Sequence, residues 1–69
     1  MSSLIQNMFC VERSDGQETW VKEQCFKTEL RAFVRAKVMS KVKGCNYRVV
    51  RKATSEVVVV VEHSKGSSV

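Results

Sequence analysis

A chain of 69 residues has room for one domain with one small core, burying only about 60% of the surface that its unfolded form exposes. At 43% hydrophobic and 28% charged residues it lies outside the low-hydrophobicity, high-charge regime of disordered chains, and its longest apolar run, Val57 to Val61, is far short of the roughly 20 residues of a membrane helix. Nine of its twelve basic residues fall between Lys27 and Lys52, where Glu29 is the single acid, so that block carries +8 while residues 1–26 sum to −2 and residues 53–69 to −1.

In chain order, Met1 to Asn7 has neither a basic n-region nor a long apolar stretch, so it does not read as a signal peptide. A cytoplasmic location is the expectation. Two runs, Ile5 to Arg13 and Glu18 to Phe26, flank Ser14-Asp15-Gly16-Gln17, and Asp-Gly between extended runs is the signal of a type I′ hairpin. A two-residue loop sets Val11 opposite Trp20 and Cys10 opposite Val21. Ile5, Phe9, Val11, Trp20 and Phe26 then share a core face, with Met8, Cys10, Val21, Glu23 and Cys25 on the other.

Thr28 is an N-cap, Glu29 an anion in a first helical turn, and Gly44 a C-cap after Lys41 and Lys43, which predicts a helix over about 29–43. Ala32, Phe33, Ala36, Met39 and Ser40 share one arc of it. Leu30, Val34, Val38 and Val42 form a second stripe beside Arg31, Arg35, Lys37 and Lys41. Either the small-residue arc packs on the sheet and leaves the valines exposed among cations, or the core straddles both arcs under snorkelling basic stems. An exposed stripe of this kind would be a partner or dimer surface.

Beyond the helix, Tyr47 to Lys52 and Glu56 to His63 predict a second hairpin with Arg51 facing Glu56. Tyr47, Val49, Val58 and Val60 are expected on one face and Arg48, Val50, Lys52, Val57, Val59 and Val61 on the other. Five consecutive valines call for cover on both sides, or for pairing at an edge. Residues 64–69 read as a flexible polar tail after a single domain over 1–63. The order is ββαββ, an α+β fold with an antiparallel sheet of about four strands and one helix packed across it.

Cys10, Cys25 and Cys45 are odd in number and widely spaced, which speaks for free thiols in a reducing compartment rather than a disulfide framework. With His63 they lack the close pairs of a structural zinc site. One histidine near the tail and one aspartate in a turn leave no acid–base pair for catalysis, and no phosphate-cradling glycine motif is present. No enzyme activity, cofactor or metal is expected.

The basic block leaves three readings. A protein-binding module would dock an acidic partner through Arg31, Val34, Arg35, Lys37, Val38, Lys41 and Lys43 of the helix and Arg48, Arg51 and Lys52 of the next strand. A nucleic-acid binder would set the same cations on the phosphates of duplex DNA or structured RNA, since Phe33 and Tyr47 are the only aromatics at hand for stacking. A small structural homodimer would share a core through the valine strand or the valine stripe.

The run Phe26-Lys27-Thr28-Glu29-Leu30 into one short helix, then Gly44-Cys45-Asn46-Tyr47-Arg48-Val49-Val50 and a final strand, resembles small phage-encoded accessory proteins over about residues 5 to 63. These include inhibitors of host RNA polymerase and of CRISPR surveillance complexes. The resemblance implies a non-enzymatic inhibitor or modulator working by occlusion in the host cytoplasm, and it carries over no functional residue.

Overall fold

A computed structural model describes residues 8–16 and 18–63. The elements are β1 (Phe9–Ser14), β2 (Trp20–Phe26), α1 (Glu29–Lys43), β3 (Tyr47–Arg51) and β4 (Glu56–Val61). All strand pairs are antiparallel, in the spatial order β2-β1-β3-β4, with α1 across one face. The α+β class, the ββαββ order and the helix limits agree with the sequence reading. The expected tail at 64–69 and the placements of Ile5 and Gln17 lie outside the described residues.

The helix begins where Thr28 leaves extended backbone and its Oγ1 accepts the Arg31 N–H at 3.2 Å. It ends where Gly44 turns left-handed (φ 67°) and donates its N–H to the Ser40 carbonyl at 2.9 Å, a conformation that glycine adopts without the Cβ penalty. Ala32 and Ala36 are fully buried against Phe9, Val11, Tyr47 and Val49. Two alanines at the contact bring the helix axis close to the sheet, so large side chains from the strands fill the space between them.

The first hairpin departs from expectation. Ser14 pairs with Trp20, and after a bulge Val11 pairs with Gln24, Cys10 with Cys25 and Phe9 with Phe26. Of the two turn residues only Gly16 takes a positive φ, and Glu18 (φ 68°) supplies the second left-handed position of a longer loop closed by the Asp15 N–H on the Thr19 carbonyl at 3.0 Å. Lengthening a loop by a few residues costs little, because closure entropy grows only logarithmically. In return the slide sets Phe26 beside Phe9 under the helix.

That register overturns four expectations. Cys10 and Cys25 are not free thiols but a cross-strand disulfide. Trp20 is not on the core face, because pairing with Ser14 turns it to the side away from the helix. Glu23, the extra residue of the bulge, points toward the helix instead of away, as does Val21, which pairs with Arg13.

In the second hairpin Arg51 does face Glu56, but across a turn of Lys52 to Ser55 in which Ser55 adopts φ 64°. A bulge at Val58 shifts the pairing so that Tyr47 meets Val61 and Val49 meets Val59. Val58, Val59 and Val61 therefore pack against the core, while Val57 and Val60 are exposed on the sheet face that α1 leaves open. The expected placements of Val60 on the Tyr47 and Val49 face, and of Val59 and Val61 on the opposite one, are reversed for that reason: a strand with one extra residue changes side-chain parity midway.

Candidate functional site

Apolar residues on both sides of α1 resolve into two distinct surfaces. The arc of Ala32, Ala36 and Ser40 is buried on the sheet, with Phe33 and Met39 half-buried at its margins. The other stripe is open to solvent: Leu30 is 69% exposed, Val34 51%, Val38 46% and Val42 70%. Of the two arrangements that the sequence allowed, the fold adopts the one with exposed valines.

Around that stripe the side chains fall into three parallel rows, each with a spacing of four residues. Leu30, Val34, Val38 and Val42 form the centre, Arg31 and Arg35 lie along one side, and Lys37 and Lys41 along the other. A shallow concavity of about 360 Å³ is lined by Phe26, Leu30, Arg31, Val34, Arg35 and Val38. A second, of about 230 Å³, shares Val34 and Val38 and adds Lys37 and Lys41. They are two shallow grooves on either side of the valine ridge, one against each row of cations.

Six of the ten residues singled out in the sequence meet here: Arg31, Val34, Arg35, Lys37, Val38 and Lys41. The remaining four do not. Lys43 turns back to Glu23, with Nζ 3.7 Å from Oε2. Arg48 lies on the open face of the sheet, its Nε 2.7 Å from Glu12 Oε1 and its guanidinium 4.3 Å from the Trp20 ring centroid. Arg51 sits over the Phe9 ring with Glu56 at 3.9 Å, and Lys52 is exposed in the turn after β3.

Phe26 was missed as a site residue, although its signal is in the chain, and Leu30 was read into the stripe but not among the ten residues singled out. Phe26, Leu30, Val34, Val38 and Val42 continue one spacing of four back across the helix cap into the end of β2.

The distribution of acids decides which cations are available to a partner. Glu12, Glu23 and Glu56 each engage cations of the strands or of the last helical turn. Among the described residues, no ion pair joins Arg31, Arg35, Lys37 or Lys41. Arg35 makes a 3.9 Å contact from Nη1 to Met39 Sδ, and Lys37 Nζ lies 5.5 Å from the Phe33 ring centroid. Both contacts leave the charge unneutralised.

Elsewhere the polar groups serve the fold. Glu23 accepts from Arg13 Nε at 2.7 Å and from the Tyr47 hydroxyl at 3.1 Å. The Arg13 hydrogen bond holds the Glu23 carboxyl below its ordinary pKa, and the same contact raises that of Arg13. Burial first, and then the bond to Glu23, push the Tyr47 phenol up to about 12. This cluster ties the β2 bulge to β1, β3 and the end of α1.

A concavity of about 380 Å³ near the first turn includes Arg13, Asp15, Cys45 and His63 in its walls. No group of three or more His, Cys, Asp or Glu among the described residues is arranged to hold a metal ion. No described helix is long and apolar enough to cross a membrane. Set against protein-family models, curated proteins and solved structures, the chain matches none.

Proposed function

We propose that this chain is a non-enzymatic binding protein that docks an acidic protein surface through the outward face of α1. One observation carries the reading: an exposed apolar stripe lies between two rows of cations that form no ion pair among the described residues. Water solvates isolated lysines at almost no cost, but it gains by releasing a contiguous apolar strip rimmed by charge. A partner that covers the valines and supplies carboxylates at both rims satisfies the two demands at once.

The kind of target follows from the resemblance in element order to phage accessory proteins. On that basis the chain acts as an inhibitor or modulator of a host nucleic-acid-processing machine, by occlusion, in the host cytoplasm. A cytoplasmic glutathione pool would act on the Cys10–Cys25 disulfide. That disulfide lies on the sheet side opposite the binding stripe, so occlusion does not depend on it.

Direct binding of duplex DNA or structured RNA is the competing use of the same cations. A phosphate backbone would leave the valine centre uncovered, which favours the protein partner. A homodimer through β4, an edge strand of five valines, is compatible with either reading.

Fluorescence anisotropy with labelled duplex DNA, structured RNA and an acidic polypeptide, each at about 50 and about 200 mM salt, separates them, since six phosphate contacts lose on the order of 10³ in affinity across that range. Binding to the polypeptide and not to the nucleic acids is expected. Micromolar or tighter binding to duplex DNA or RNA with the steep slope, and none to the polypeptide, would transfer the site to nucleic acid.

A further inference from the structure

We infer that the occupant of the outward face of α1 is a single amphipathic helix of the partner, with an apolar seam flanked on both sides by carboxylates. This rests on the reading above and adds the shape of the partner to its charge. A helix is selected by what α1 lacks. Its backbone N–H and C=O groups are already paired along the helix, so it offers nothing to an extended strand laid upon it. Such a strand would lose water from its own backbone groups without gaining partners. A helical occupant satisfies its own backbone internally and needs only side-chain packing.

The rows on α1 provide for such packing. Leu30, Val34, Val38 and Val42 make one ridge of spacing four, and the Arg31–Arg35 and Lys37–Lys41 rows are the neighbouring ridges. Between them run the grooves lined by Val34 and Val38. A second helix seats its own ridge there, crossing at about −50° or about +20° depending on which of its ridges enters. From Leu30 to Val42 the ridge runs roughly 18 Å at 1.5 Å per residue, so three to four turns of partner cover it. Both flanking rows are cationic, so the seated helix carries acids on both flanks of its seam.

The same charges argue against a second copy of this chain as occupant. Stacking α1 on another α1 would set Arg31, Arg35, Lys37 and Lys41 against their own duplicates over an apolar seam that excludes the water needed to screen them.

The test uses a capped peptide of about 16 residues, short enough to be mostly unfolded alone, with leucines at helical spacing and glutamates flanking them. Its comparators are a scramble of the same composition, a version with lysine in place of glutamate, poly-glutamate and a short DNA duplex. Affinity is read by anisotropy and helicity by circular dichroism. The acidic amphipathic peptide should bind at least tenfold more tightly than the scramble, gain helicity on binding, and lose at least tenfold against V34S/V38S protein. Those valines are 51% and 46% exposed, so the variant should keep its thermal midpoint, which is measured alongside.

Equal binding of the scramble or of poly-glutamate, without gained helicity, would overturn the helical occupant and leave the acidic-partner reading standing. Tight binding of the duplex alone, or no binding by any acidic probe, would overturn both.

Discussion

The two exposed faces of this small fold both carry basic and apolar side chains and use them in opposite ways. On the open side of the sheet, Arg48 is held by Glu12 and lies flat on Trp20, next to a disulfide that ties β1 to β2. On the outward side of α1, Arg31, Arg35, Lys37 and Lys41 flank valines and form no ion pair among the described residues. The first face spends its arginine on holding strands together, and the second presents its cations. A run of basic residues in a sequence is therefore not yet a surface; where the acids fold to decides which part of the run remains available.

The contrast can be broken first from the sheet side. Closing a 15-residue separation between Cys10 and Cys25 is worth about 3 kcal/mol of stability in the chain-entropy account. Reduction, or a C10S/C25S variant, should lower the denaturation midpoint by that order while affinity for an acidic partner, measured below the midpoint, stays unchanged. Loss of affinity in the still-folded reduced protein would show that the two faces are not independent.

A smaller effect is expected from Arg48→Ala. It removes a charge-assisted hydrogen bond and leaves the Glu12 side chain, 16% exposed, without its partner, at about 1 to 2 kcal/mol. Thermal unfolding measures that cost, and anisotropy should show affinity within about twofold of the parent, because Arg48 lies across the sheet from the outward face of α1. A stability change with no affinity change is the signature of a structural cation.

The smallest effect sharpens the comparison through pH. Glu23 has a lowered pKa in the fold, so its contribution is present above the ordinary carboxylate value of about 4.3 and fades as pH falls through that value to the lower folded one. Tyr47, raised to about 12, contributes fully below its ordinary value of about 10 and loses that contribution as pH climbs from there to the folded value. Glu23→Gln should flatten the acid arm of the thermal midpoint against pH, and Tyr47→Phe the alkaline arm. Neither should alter binding at neutral pH.

How much of this was legible beforehand depends on the range of the interactions concerned. Thr28, Glu29 and Gly44 act within a turn of their own positions, and the helix limits were readable from them. The strand count and order followed from runs and turn residues. The register of the first hairpin was not readable, because Asp15-Gly16 states a local turn preference that the contact of Phe9 with Phe26 overrides, and the bulge at Glu23 then exchanges the sides of Trp20 and Val21. The disulfide was lost with it, since pairing Cys10 with Cys25 requires that register.

The site divides in the same way. The stripe and its flanking cations are a property of one helix and were visible as spacing of four. That Arg48, Arg51 and Lys43 would be drawn to Glu12, Glu56 and Glu23 depends on strand neighbours. Only the Arg51–Glu56 pair, across one turn, could be foreseen. Which of the two helix arcs would face the sheet was decided by volume: Ala32 and Ala36 admit Tyr47 and Val49 beneath them, and a layer of valines and leucine there would hold the helix away.

The most direct measurement compares two charge-reversed triple variants on one acidic helical probe: R31E/R35E/K41E on the helix against R48E/R51E/K52E on the third strand and its turn. Each removes the same amount of positive charge, so net charge and long-range attraction change equally. A loss of at least a thousandfold, about 4 kcal/mol, is expected for the helix variant, with a loss of no more than about tenfold for a folded strand variant. Equal losses in the two would mean that partners sense only the overall charge, and a larger loss in the strand variant would put the binding surface on the third strand and its turn instead of on the helix.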